Sequence, residues 1–153
     1  MTLEGKPAPD FTLLRDGGET VTLSGLRPAK VVLYFYPKDD TSGCTLEAQG
    51  FTEAKRAFEA EEAVVLGISR DTVAKHDKFI DKYGLDVILA ADTEGEVCEA
   101  YGVWVEKSMY GRKYMGIGRS TFLIGADGTV LREWRGVKVP GHVDEVLDAV
   151  KAA

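Results

Sequence analysis

Val31-Val32-Leu33-Tyr34-Phe35-Tyr36 is apolar on both of its alternating faces, so it predicts a strand buried on both sides, inside a sheet with helices over each face. Ala63 to Ser69 (AVVLGIS) repeats that pattern. Between the two lie Pro37, the polar turn Lys38-Asp39-Asp40-Thr41-Ser42-Gly43, and then Cys44, Ala48, Phe51, Ala54 and Phe58 at three- and four-residue steps, the spacing of one helical face. The stretch is therefore a β-α-β unit, and Cys44 falls in the first turn of its helix.

The rest of the chain extends this unit. Thr72 to Tyr83 is a helix, Val87 to Ala90 a short third strand, and Glu94 to Tyr101 a short helix that carries Cys98. Towards the N-terminus, Pro7-Ala8-Pro9-Asp10 is an extended arm, because each proline pushes its predecessor out of the helical region. Phe11–Leu14 and Thr20–Leu23 form a hairpin around Asp16-Gly17-Gly18. Towards the C-terminus, Ser120–Ile124 and Val130–Trp134 flank Ala126-Asp127-Gly128-Thr129, a turn signal that joins antiparallel strands. A last helix over His142 to Lys151 has Val143, Val146, Leu147 and Val150 at helical spacing. These elements describe an α/β fold of the thioredoxin type, with a central mixed sheet, helices on both faces and an N-terminal hairpin. No repeat or linker divides residues 1–153, which read as a single domain.

Composition narrows the function. The 25 acidic and 19 basic side chains leave a net charge of −6, and the isoelectric point is near 5.0. Nucleic-acid and anionic-membrane binding both depend on clustered Lys and Arg, so neither is expected. The longest apolar run is far shorter than the ~20 residues of a spanning helix, and no basic stretch followed by an apolar one opens the chain. The two cysteines, Cys44 and Cys98, are too few for a secreted disulfide scaffold. The expectation is a cytoplasmic protein. No long apolar stripe remains once the core is assigned, so it is expected to be a monomer.

A cysteine in a first helical turn faces unpaired N–H groups and the positive end of the helix dipole, both of which favour thiolate. The bland alternative is a small buried hydrophobe. Pro37-Lys38-Asp39-Asp40-Thr41-Ser42-Gly43-Cys44 is similar to the Pro-x-x-x-Thr-x-x-Cys signature of the peroxiredoxins. The chain most resembles their bacterioferritin comigratory protein, or peroxiredoxin Q, group. The likeness runs from Pro7-Ala8-Pro9-Asp10-Phe11 through Tyr34-Phe35-Tyr36-Pro37, Gly102-Val103-Trp104 and Lys107-Ser108-Met109-Tyr110-Gly111 to Arg119-Ser120-Thr121-Phe122-Leu123-Ile124.

The resemblance implies a thiol peroxidase acting on hydrogen peroxide and organic hydroperoxides, with Cys44 as nucleophile, Thr41 and Arg119 as peroxide activators and Pro37 as shield. No metal, flavin, haem or nucleotide cofactor is implied, and a thioredoxin-like protein or small thiol would be the reductant. The bland readings are a helix N-cap for Thr41 and a surface salt bridge for Arg119. The assignment requires the Cys44 sulfur at the mouth of a cavity, within reach of Arg119.

The family's resolving cysteine falls either five residues after the first, where this chain has Gln49, or in the Lys78-Phe79-Ile80 stretch, which has none. Cys98 is expected to pack, half-buried, beside Val97 and Tyr101 rather than to bridge, which leaves a one-cysteine cycle. A disulfide oxidoreductase would need a second thiol in Cys44-Thr45-Leu46-Glu47, and none is there. A non-catalytic binding module would carry a Cys44 inert to peroxide. His76 and His142 lack the spacing of a zinc set. Asp39 and Asp40 read as a solvated turn, and Met109, Tyr110, Tyr114 and Met115 as a loop wall near the pocket.

Overall fold

A computed structural model describes residues 2–153. Its main sheet has seven strands in the order β2-β1-β5-β4-β3-β8-β9. The doubly apolar stretch is β3 (Lys30–Phe35), inside the sheet between β4 (Ala63–Ser69), which runs parallel to it, and β8 (Ser120–Ile124), which runs antiparallel. Next to β4 lies β5 (Ile88–Ala91), and β9 (Val130–Arg135) closes the edge beyond β8. The N-terminal hairpin, β1 (Thr12–Arg15) and β2 (Thr20–Thr22), pairs with β5 through β1.

Alternation along β3 builds two cores. Val31, Leu33 and Phe35 enter one, with Tyr101, Val103, Ile117 and Phe122. Val32, Tyr34 and Tyr36 enter the other, with Phe51, Phe58, Phe79 and Val146. Helices cover both faces: α4 (Glu96–Ala100) belongs to the first core, and α1 (Ser42–Glu53), α2 (Lys55–Ala60), α3 (Val73–Tyr83) and α5 (His142–Ala152) to the second. Phe35 is fully buried, so its truncation to alanine costs about 3–5 kcal/mol. The ring of Tyr34 lies over Gly67, where a Cβ would come within 2.7 Å of it. Only a glycine on β4 admits that ring.

Two elements differ from expectation. The helix read across Cys44 to Phe58 divides at Ala54 (φ −88°, ψ 0°) into α1 and α2. Hydrogen bonds from Ala54 N–H to Gly50 and from Phe58 N–H to Ala54 keep the phase, so Phe51 and Phe58 still share one core. The expected loop around Met109 and Tyr114 is a hairpin of β6 (Trp104–Met109) and β7 (Arg112–Ile117), a two-stranded sheet of its own. Tyr110 and Gly111 turn it with φ of 52° and 78°, the left-handed pair that tight hairpins require. Most of its side chains are exposed, so no apolar alternation marks it in sequence. Among the described residues, no helix is long and apolar enough to cross a membrane.

Candidate active site

The chain leaves β3 at Tyr36, turns through Pro37 to Thr41 and enters α1. Asp39 is buried, contrary to the solvated turn expected of it: it accepts from Tyr36 Oη at 2.5 Å and lies 2.6 Å from His76 Nδ1. Its own N–H donates to Asp71 at 2.8 Å. Asp40 is exposed at φ 60° and accepts from Lys82 Nζ and Tyr83 Oη of α3. Partners more than thirty residues away recruit both carboxylates, which a local reading of the turn does not reveal.

Thr41 occupies the N-cap position of α1 without capping it. Its Oγ1 donates to the Lys38 carbonyl at 2.8 Å, and its own carbonyl accepts from Thr45 Oγ1 and N–H. Among the described residues, no acceptor serves the N–H groups of Gly43 and Cys44. The helix start therefore offers two free donors and a positive dipole end beside the sulfur.

Arg119 Nη2 donates to Cys44 Sγ at 3.3 Å, and Nη1 donates to Glu47 Oε1 at 2.6 Å. Sheet register brings this about: Phe35 pairs with Ser120, so the residue before β8 stands level with the end of β3, over α1. Gly43 makes room for it, since a Cβ there would sit 3.1 Å from Nη2. The surface salt bridge considered for Arg119 is instead a contact with a carboxylate of no exposed area.

Sequence reasoning missed Glu47. It lies on the Cys44–Ala48–Phe51 face of α1, where an acid among apolar residues is the signal that could have found it. Burial pushes its carboxyl up to about 7 against the opposing pull of Arg119, and its Oε2 has no partner among the described residues. Burial pulls the guanidinium down, but Glu47 and Cys44 more than offset that and hold it above its ordinary range.

Cys44 is only 1% exposed, so the guanidinium requirement is met while the sulfur lies beneath the surface rather than at an open mouth. Pro37 is half-buried, on the wall of a cleft of about 470 Å³ shared with Trp104, Lys107, Tyr114 and Met115. Tyr114 and Met115 thus face a cleft next to the loop, whereas Met109 and Tyr110 are exposed at the hairpin tip.

Cys98 is fully buried rather than half-buried. Burial, and then the neighbouring Asp92 carboxylate, push its thiol well up. It belongs to the first core and Cys44 to the second, on opposite faces of β3. The two histidines are also apart, His76 with Asp39 and His142 with Thr121.

The assembled groups can hold a thiolate, orient an oxygen acceptor through backbone N–H groups and stabilise an oxyanion with a fixed cation. The AhpC/TSA family pattern matches residues 5–132. Peroxiredoxin Bcp of Bacillus subtilis is 48% identical over 152 residues, covering 99% of this chain and 97% of that protein. Peroxiredoxin Bcp of Escherichia coli is 40% identical over 147 residues, covering 96% and 94%. The solved structure of Xanthomonas campestris peroxiredoxin Q superposes with a TM-score of 0.89 at 44% identity, covering 93% of this chain and 90% of that one. A second X. campestris structure with the same figures, of its bacterioferritin comigratory protein, concerns alkyl peroxide reduction.

Proposed function

The chain belongs to the AhpC/TSA family, in its Bcp and peroxiredoxin Q group, and is a thiol-dependent peroxidase; from that premise we propose that Cys44 is its peroxidatic nucleophile. Hydrogen peroxide and organic hydroperoxides are the proposed substrates, the latter by likeness to the X. campestris protein. The Cys44 thiolate attacks one peroxide oxygen. An S–O bond forms, the O–O bond breaks, and its electron pair leaves on the second oxygen, which takes a proton to become water or an alcohol. The protein is left with a sulfenic acid. Arg119 offsets charge first on sulfur and then on the departing oxygen, while Thr41 and the free N–H groups of Gly43 and Cys44 orient the peroxide. Pro37 fixes the turn and shields the sulfur. The observation that carries this reading is the 3.3 Å contact between Arg119 and Sγ.

We further propose a one-cysteine cycle. A disulfide needs Cα atoms within about 7 Å, and the partition of Cys44 and Cys98 between opposite cores argues against a bridge. An external thiol then condenses with the sulfenic acid, releasing water, and a second thiol displaces the mixed disulfide to restore Cys44. The chain is read as one domain working as a cytoplasmic monomer. Intact mass after one equivalent of peroxide tests the cycle. Gain of one oxygen, or a mixed disulfide when thiol is present, supports it. Loss of two hydrogens that is abolished in Cys98→Ser overturns it.

A further inference from the structure

Behind the 37–41 loop lies a polar network that the peroxide chemistry leaves unused. Asp39 and His76 are both buried, sit 2.6 Å apart and are separated by 37 residues. His76 Nε2 lies 3.0 Å from the Ala90 carbonyl, which can only accept, so Nε2 carries a proton. A 2.6 Å hydrogen bond joins Nδ1 to Asp39 Oδ2. The other Asp39 oxygen accepts from Tyr36 Oη, and the Asp39 N–H donates to Asp71, whose same oxygen Oδ2 accepts from Ser69 Oγ. The nominal contact from Tyr36 Oη to His76 Nδ1, at 3.5 Å, is too long to compete. Asp39 is therefore bound in three directions: to the end of β3 through Tyr36, to α3 through His76, and to the β4 exit through Asp71.

We propose that Asp39 and His76 are positioning residues for the peroxidase reaction, holding the backbone between Pro37 and Thr41 so that Thr41 and the start of α1 stay aligned with the sulfur and Arg119. The proposal rests on the roles given above to Cys44 and Thr41. A satisfied buried network of this kind specifies one arrangement of the groups it joins, and loss of a member leaves polar atoms with no solvent to turn to. Asp39 lies two residues from Thr41, so its displacement misaligns the peroxide groups while leaving the sulfur and its cation in place.

The test measures two rate constants on Cys44, sulfenate formation by hydrogen peroxide and alkylation by iodoacetamide. The second needs thiolate and access but no peroxide-orienting groups. Asp39→Ala is expected to slow the peroxide reaction by about 10- to 100-fold while alkylation changes less than about threefold, in line with the cost of a misplaced reacting group. Asp39→Asn can accept from Tyr36 and donate to a neutral Nδ1, and is expected to keep the peroxide rate within about threefold. An Asp39→Ala variant with the wild-type peroxide rate overturns the proposal, as does a parallel loss of both rates, or an Asn variant as slow as the Ala one. If Asp39→Ala does not fold, Tyr36→Phe and His76→Gln decide on the same ratio: a peroxide-selective loss supports the proposal, and unchanged or parallel rates overturn it. Residual turnover in Cys44→Ser would instead overturn the nucleophile assignment, whatever the Asp39 variants show.

Discussion

Cys44 and Cys98 are the same residue, both buried and both in the first turn of a helix, yet their surroundings prepare opposite chemistry. At Cys98 a carboxylate already fills the helix start: Asp92 accepts from the N–H groups of Val97 and Cys98 at 3.3 and 2.8 Å. A negative sulfur there would face that carboxylate, and burial with Asp92 drives the thiol up. At Cys44 the corresponding donors are left open and a guanidinium touches the sulfur. A cysteine at a helix start is thus not reactive by position alone. At Cys98 burial and the carboxylate in the terminus both oppose a thiolate.

The comparison breaks first if the two sulfurs can be exchanged functionally. Cys44→Ser is expected to abolish peroxide consumption with dithiothreitol or thioredoxin, while Cys98→Ser keeps the wild-type rate; a matching loss in the second variant would remove the distinction. Arg119→Ala is expected next, slowing sulfenate formation by roughly 10²–10³-fold, the usual cost of losing a preorganised donor to a developing anion. Stopped-flow kinetics should show Arg119→Lys recovering part of this, because charge survives while the two-pronged geometry does not.

A smaller effect belongs to Glu47, whose folded carboxyl lies near 7 against an ordinary 4.5. Its stabilising contribution is complete below about pH 4.5 and is lost as the pH climbs through 7, where a buried carboxyl must ionise. Denaturant unfolding should therefore show Glu47→Gln gaining on the wild type between pH 5 and 8, by up to roughly 3 kcal/mol. A difference independent of pH would show that Glu47 does not titrate in this window. The smallest change is expected on the other face, where Asp92→Asn should speed alkylation of Cys98 several-fold without making it reactive to peroxide, because burial remains.

Much of this was legible in the sequence, for identifiable reasons. Strands such as Val31–Tyr36 and Ala63–Ser69 carry their burial in composition, and the motif around Cys44 is contiguous. The pairing of Arg119 with Cys44 depends on register across 75 residues, and only the resemblance to a family gave it in advance. Glu47, Asp39 and His76 had no such guide. Each is a polar residue whose burial depends on a partner brought from elsewhere by the fold. The β6–β7 hairpin was hidden for the opposite reason, since strands left largely in solvent need no apolar alternation.

The antiparallel seating of β8 beside β3 has a consequence in time as well as in space. At roughly 5–20 residues per second of synthesis, the guanidinium emerges about 4–15 s after the sulfur it will touch, 75 positions later. Until that late strand docks, the sulfur of a nascent chain has no guanidinium beside it. The contact is made only by completion of the sheet, so a product that stops short of Arg119 holds the motif entire yet lacks the cation.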